Sequence, residues 1–465
     1  MTYRRLLRAF GLLLAFALVP SPAFGQPIES SPTPTTVTVD HLLQTARELR
    51  KKNRPDEAIQ TCFKALSLDR TNAEALDELR KSVRFALQSQ RHRDASFHAR
   101  IMAMSQADVL ALYAEVVAKI QAHYVDVDKV PAGRLFRQGL DEYLFALTEA
   151  NFVDRHLKGV DESLIARFRL NLQKAWSGRD VANALQAKEA VAQIAATSKR
   201  ELGIRAVNPI VCEFICGACN SLDEYSAYLS AGQYLAESSA SLQMSVNVRM
   251  EDGGVVYLQI THFQPSTPEE VENAIKSVIE MGTARAIVLD LRGNTGGLFS
   301  AAVKTAEKFL PGGIIVTAQG QHEEANKVYT STAGNAAFDL PMVVLVDAET
   351  ASAAEVLAVA LRDNRRAKLI GTATFGKGSV QKVVAFTTAE EVDEDGKVKP
   401  RAAVRITMAR LIAPSGNPIT GVGVTPDQLI PDRDRQTSAA MEQARELGRR
   451  YMGGMMMAMP GMMRQ

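Results

Sequence analysis

Three side chains in the second half of the sequence have the types and spacing for acyl-transfer chemistry: Ser352 in TASAAEV, and Lys377 and Gln381 in GTATFGKGSVQ. Ser352 opens a helical pattern directly after the apolar run PMVVLV. That position puts its hydroxyl at the positive end of a helix and leaves the next amide, Ala353 N–H, free to donate. A serine hydroxyl is a weak nucleophile and needs a base. None of the polar turns carries a histidine. His262, in ITHF, is the nearest in sequence and reads as a hydrogen-bonded structural residue. Lys377 is the better base. It sits between two glycines, one helix and one strand after Ser352. A lysine acting as base must be neutral, so burial has to bring its pKa from about 10.4 toward roughly 7–8, a differential stabilisation of about 4 kcal/mol. Desolvation can do this without a nearby acid, and the loop TATFGKGSVQ contains no Asp or Glu. Gln381 can hydrogen-bond the amine and orient it. Ser–Lys pairs are an established variant of the serine-nucleophile arrangement.

These residues need a scaffold. Strand-like runs VVYLQI (255–260), AIVLDL (286–291), PMVVLV (341–346) and AKLIG (367–371) alternate with helical stretches, which predicts an α/β domain with a substantially parallel sheet. Polar turns at the carboxyl ends of such strands are where sites form. One is Arg292-Gly293-Asn294-Thr295-Gly296-Gly297. The front half reads as all-α. Two apolar-periodic stretches around the turn signal Asn53-Arg54-Pro55-Asp56 resemble a tetratricopeptide-like helical hairpin. Ala46, Ala58 and Ala65 stand where the helices approach, and Leu42, Leu49 and Leu66 fill between them. Cys212, Cys216 and Cys219 read as buried helix; a cluster-ligand motif and a local disulfide are the alternatives.

The whole chain, 465 residues with 46% hydrophobic and 23% charged residues, has globular composition. Setting aside Arg4, Arg5 and Arg8 turns the formal net charge from +2 to −1, which gives no support to nucleic-acid binding. The basic start, the apolar run from Ala9 to Val19, and Ala23 and Gly25 at small-residue positions predict a secretory signal over 1–25 and an exported chain, periplasmic or extracellular. No later stretch predicts a membrane span. The expected organisation is a Pro/Thr-rich linker over 26–39, the helical hairpin over 40–90, a helical region over 91–245, the catalytic domain over 246–432 and a helical, Met-rich tail over 433–465. The insert 387–401 reads as a solvated hairpin tip. The hairpin and the tail are candidate partner-binding elements.

Six ordered segments carry a family resemblance: LDEYSAYLS (222–230), VVYLQITHFQ (255–264), IVLDLRGNTGG (287–297), LVDAETASAAEV (345–356), LIGTATFGKGSVQ (369–381) and ITMARLIAPSGNPITGVGVTPD (406–427). In order and spacing they resemble the carboxyl-terminal processing peptidases, the tail-specific serine proteases. The resemblance implies a fold related to the ClpP/crotonase spiral. It also implies Ser352 as nucleophile, Lys377 as general base, Gln381 as its orienting partner, and an oxyanion hole from the Gly297 and Ala353 N–H groups. The reaction it implies is hydrolysis of protein or peptide substrates through an acyl-enzyme, with no metal or cofactor. The chain departs from the family in one respect. Only 24 residues separate Ser230 from Val255, too few for the PDZ domain that members usually carry there.

Competing readings are weaker on the residues. Gly371 to Lys377 mimics a phosphate-binding loop, but Gly378 stands where that motif needs Ser or Thr. A non-catalytic peptide-binding scaffold that keeps the fold, and an esterase acting on small substrates, are the remaining alternatives.

Overall fold

The structure is a computed structural model that describes residues 38–69, 72–223, 225–238, 244–332, 338–388, 390–392, 398–400 and 402–458. The expected signal segment, most of the Pro/Thr-rich linker, the hairpin tip at 393–397 and the end of the Met-rich tail lie outside the described residues. Two compact units emerge, one formed by 1–238 with 382–406 and the other by 239–381 with 407–465. Elements are numbered along the chain.

The first unit is mainly helical. It comprises α1 (Val39–Lys51), α2 (Pro55–Leu68), α3 (Ala73–Arg93), α4 (Ala95–Arg100), α5 (Gln106–His123), α6 (Ala132–Ala146), α7 (Ala150–His156), α8 (Glu162–Trp176), α9 (Ala184–Leu202) and α10 (Asn208–Asn220), then β1 (Ala227–Ser230) and α11 (Ala231–Ser238). Side-chain caps at Thr38, Asn72, Asp94, Ser105, Asp161 and Asn183 satisfy first-turn N–H groups and fix where helices begin. The first three helices share a small core in which Ala46, Ala65 and Ala75 are fully buried beside Leu43, Ile59 and Leu66. Ala58 is buried as well, and such small residues permit close helix approach. A larger core surrounds Phe136, Tyr143 and Phe214. There α6 and α10 meet through glycine: a Cβ on Gly217 would lie 2.5 Å from Gln138 O, and one on Gly139 2.7 Å from the Phe214 ring. Cys212, Cys216 and Cys219 are buried on α10 as free thiols, so neither a disulfide nor an exposed ligand set forms there. Two short strands, β10 (Glu390–Val392) and β11 (Val398–Pro400), pair antiparallel as the hairpin expected around 387–401. Residues 402–405 of β12 (Ala402–Ile412) pair with β1.

The second unit is built on a six-stranded sheet in the order β13-β8-β7-β4-β3-β2. Its members are β2 (Val246–Glu251), β3 (Val255–Ile260), β4 (Ala286–Asp290), β7 (Met342–Val346), β8 (Ala367–Gly371) and β13 (Gln428–Leu429). All neighbours are parallel except β2, which closes one edge antiparallel to β3. Side chains alternate between faces with the two-residue period of a strand. Val256, Leu258, Ile287, Leu289, Val344 and Leu369 enter one core with α12 (Thr267–Glu280), α13 (Phe299–Phe309) and α14 (Ala353–Asp363). Val255, Tyr257, Val288, Val343, Leu345 and Ile370 enter the other, covered by Ala440, Met441 and Ala444 of α15 (Arg433–Ala458). A sheet buried on both faces accounts for the near-continuous apolar runs in the sequence. The remaining strands are β5 (Gly313–Gly320), β6 (Lys327–Ser331) and β9 (Ser379–Ala385). In this unit β5 pairs antiparallel with β6 and with residues 409–412 of β12.

Candidate active site

The sequence-selected residues follow the carboxyl ends of β4, β7 and β8, except Gln381, which lies on β9. The turn after β7 is drawn tight by Asp347. Its Oδ1 accepts the N–H groups of Gly293, Glu349 and Thr350, each at 3.0 Å. Thr350 Oγ1 donates to Leu291 O at 2.9 Å, and Ala351 N donates to Asn294 O at 2.9 Å. These bonds stitch the turn after β7 to the glycine turn after β4.

Ser352 follows, with φ 54° and ψ −119°. A non-glycine residue in that region costs about 1–3 kcal/mol and persists only where its surroundings over-determine it. The neighbouring turn is shaped to leave it room. Gly296 has φ 108°, and a Cβ there would stand 2.8 Å from the Ser352 Cβ. Gly297 has φ 129°, and its Cβ would stand 2.2 Å from Phe263 O. Phe263 N donates to Gly296 O and Leu298 N to Phe263 O, 2.8 Å each, so the Gly297 N–H between them is left out of that ladder. Ala353 begins α14, where first-turn N–H groups have no acceptor within the helix.

One residue joins the serine turn to the lysine loop. Glu355, in the first turn of α14, is fully buried. Its Oε2 accepts the backbone N–H of Ser352 and that of Lys377, both at 2.8 Å. The two nitrogens therefore lie no more than twice that distance apart. Its Oε1 accepts Gly376 N–H at 2.6 Å and the Thr374 hydroxyl. Burial pushes the Glu355 carboxyl up from the ordinary carboxylate range, and the four donated hydrogen bonds oppose that rise. Phe375 N–H adds a direct link, donating to Thr350 O at 3.0 Å.

Lys377 is half-buried. The segment 419–424 presses on its flanking glycines: a Cβ on Gly376 would lie 2.9 Å from Gly423 N, and one on Gly378 2.3 Å from Thr420 N. Gly421 N donates to Gly376 O and Leu411 N to Gly378 O, 2.8 Å each. Gln381, on β9, donates through Nε2 to Ser379 Oγ at 2.8 Å and Thr407 Oγ1 at 3.2 Å. His262 is held by Thr261 Oγ1 at 3.0 Å from Nδ1 and by Gln264 Oε1 at 3.2 Å from Nε2, the structural environment expected for it.

Sequence reasoning passed over Glu355, although its signal was present. Ser352-x-x-Glu355 before an apolar run is the pattern in which a glutamate reaches back to the N-cap backbone. It passed over Asp347 and Thr350 as well, since their role depends on a second turn far away in sequence. The lysine loop contains no acid of its own, yet a carboxylate from α14 meets its backbone.

Residues 254–430 match peptidase family S41. A carboxy-terminal-processing protease of Bartonella bacilliformis is 36% identical over 189 residues, 40% of this chain and 41% of that protein. The carboxy-terminal processing protease CtpA of Bacillus subtilis is 35% identical over 182 residues, 39% of this chain and 36% of that protein. The chain thus spans about two fifths of the length of these curated relatives. A solved structure described as a photosystem II D1 C-terminal processing protease aligns with 22% identity and a TM-score of 0.36, covering 63% of this chain and 93% of that one.

Proposed function

We propose that this chain is an exported serine endopeptidase of the carboxyl-terminal-processing type, with a catalytic domain of the ClpP/crotonase kind. Ser352 is the nucleophile, Lys377 the general base and Gln381 the residue that orients the lysine. Neutral Lys377 Nζ takes the proton of Ser352 Oγ as the oxygen attacks the scissile carbonyl. The Gly297 and Ala353 N–H groups receive the oxyanion, each contributing about 2.7–4 kcal/mol to lowering the barrier. The lysine ammonium then gives its proton to the leaving amine, and the C–N bond breaks to leave an acyl-Ser352 ester. A water molecule, deprotonated by the same amine, cleaves the ester and regenerates the serine. Gln381, anchored through Nε2, offers its carbonyl oxygen to the ammonium formed in each half-reaction.

The observation that carries this reading is the shared Glu355 carboxylate. One oxygen gathers the backbone of the nucleophile and that of the base, a costly buried arrangement that packing alone does not require. The S41 match over 254–430 and the names of the relatives point to the same chemistry. The test is labelling by a fluorophosphonate together with cleavage of an unstructured protein substrate. Both should occur in the parent and vanish in Ser352→Ala and in Lys377→Arg, because arginine cannot give up its proton. A parent that neither labels nor cleaves would return the chain to the scaffold reading. Turnover in Lys377→Arg would remove lysine from the mechanism.

A further inference from the structure

The side-chain amide of Gln381 is held by its nitrogen. Nε2 donates to Ser379 Oγ at 2.8 Å and to Thr407 Oγ1 at 3.2 Å. An amide nitrogen carries two protons, so the two hydroxyls can take one each and use its whole donor capacity. Ser379 stands on β9 and Thr407 on β12, two strands that pair with each other. Both are buried, at 6% and 2% exposure. A buried hydroxyl costs free energy unless it is hydrogen-bonded, and valine would fill the Thr407 position with nearly the same shape and suit a strand at least as well. Packing alone therefore does not ask for hydroxyls at this junction.

The chain direction relates this amide to the lysine. Alternate residues of an extended segment share a side. Val380 packs on the apolar core, so Ser379 and Gln381 take the opposite side of β9. A backbone bond from Leu411 N–H to Gly378 O, 2.8 Å long, carries the contact between the same two segments back to the residue beside Lys377. Lys377, Ser379 and Gln381 are thus alternate positions of one segment.

We propose that Ser379 and Thr407 are positioning residues for hydrolysis: by taking both protons of the Gln381 amide they fix its orientation, so that its carbonyl oxygen and not its NH2 group meets the lysine ammonium. The inference rests on the reading of Lys377 as base and Gln381 as its orienting partner. The two ends of an amide are opposite in function. The oxygen accepts a charge-assisted hydrogen bond from an ammonium, whereas the NH2 group turns donors toward a cation. An amide with neither end held would sample both, and the ammonium formed in each half-reaction would lose its acceptor whenever the nitrogen faced it. The hydroxyls touch neither substrate nor lysine in this role; they act through Gln381.

The test measures kcat and KM for cleavage of fluorescently labelled casein by full-chain variants, at a temperature where circular dichroism shows each one folded. Thr407→Val should lower kcat about tenfold or more and keep KM within about threefold, since a misoriented catalytic group costs rate more than binding. Ser379→Ala should act in the same direction. Thr407→Ser restores the hydroxyl and should bring kcat back to within about threefold of the parent. The deciding arm is the Gln381→Ala background. There Thr407→Val should cost nothing further, because a hydroxyl that works through Gln381 has nothing left to hold. An equal loss in both backgrounds would reveal a merely structural hydroxyl and overturn the proposal. Parent-like kcat in Thr407→Val, or no recovery in Thr407→Ser, would overturn it as well. If the parent does not cleave, or Gln381→Ala cleaves as well as the parent, the assignment of Gln381 fails and this inference with it. If Gln381→Ala is impaired and the hydroxyl variants are not, this inference alone fails.

Discussion

Glu355 concentrates the chemistry of the site in one carboxyl group. Three backbone N–H groups and one hydroxyl donate to it, so an amide in its place would turn a donor toward at least one pair of them. Glu355→Gln should therefore lower kcat by about a hundredfold or more and leave KM within a few-fold, since a misplacement of about 1 Å suffices for a loss of that size. Burial raises this carboxyl, which sets the sign of its pH effect on stability. With the folded-state pKa above the unfolded value, the folded chain holds the proton more tightly, and the group's contribution is lost as pH rises through the folded value. Melting temperature measured from pH 4 to 8 should show the glutamine variant gaining relative to the parent as pH rises. A constant gap would contradict the burial argument. The glycines make a second prediction. Gly297→Ala places a methyl 2.2 Å from Phe263 O at φ 129°. It should abolish turnover and lower stability by about 1–3 kcal/mol, read by denaturant titration beside the hydrolysis assay. Residue chemistry offered Ser352 and Lys377 only as a candidate pair, since serines and lysines are common; their roles and that of the glycine turn came from the ordered family segments. Glu355 looks like an ordinary helix residue until the fold brings Lys377 to it.

At the scale of elements, Arg292 ties the glycine turn to the last helix. Its guanidinium donates to both Asp290 oxygens at 2.9 Å, to Tyr257 OH at 3.1 Å, and to Arg433 O, Gln436 Oε1 and Thr437 Oγ1 at 3.0, 3.2 and 3.1 Å. The partners come from β3, β4 and the first turn of α15, and the group is nearly inaccessible. Removing one member of such a buried pair leaves the other uncompensated and costs about 3–5 kcal/mol. Arg292→Ala should lose that much stability in a chemical melt. Arg292→Lys should recover only part, because an ammonium cannot reproduce the fork to Asp290. Recovery of full stability by lysine would show that charge alone matters. Strands β3, β4, β7 and β8 were legible as apolar runs and α10 with its three cysteines from its unbroken hydrophobicity, whereas β1, β2, β5 and β6, with exposed or half-buried positions, were not. This junction was not legible. It depends on a helix more than a hundred residues downstream in the chain, and side-chain periodicity within either segment carries no trace of the other.

For the whole molecule, acid is the condition that separates the two units, because the buried imidazoles are concentrated in the helical one. His92 packs against His156 at 5.6 Å and His98 at 6.4 Å between ring centres. Neither His92 nitrogen has a hydrogen-bond partner among the described residues, and the Glu213 carboxylate, 3.8 Å from His92 Nε2, opposes the effect of burial only in part. Arg91 and Arg155 stand beside the group, and Glu213 already accepts two bonds from Arg91 at 2.8 and 2.9 Å. Burial lowers His92, and burial with the neighbouring His92 and Arg155 charges brings His156 down to about 4. Unfolded histidine takes its proton near 6.5, so the unfolded chain binds more protons than the folded one between about pH 6.5 and 4. Above that window these groups impose no penalty. Through it stability falls with falling pH, by up to about 3 kcal/mol for His156 alone. Hydrogen exchange, corrected for intrinsic rate, should lose protection in α3, α7 and α10 on going from pH 7.5 to 5 while β4 and β7 keep theirs. His156→Phe keeps an aromatic ring against Phe152, 4.9 Å away between centres, and removes one titrating group. That variant should retain more of its helical protection at pH 5 than the parent. Equal acid loss in parent and variant, or loss spread evenly over both units, would place the acid sensitivity elsewhere than in this cluster.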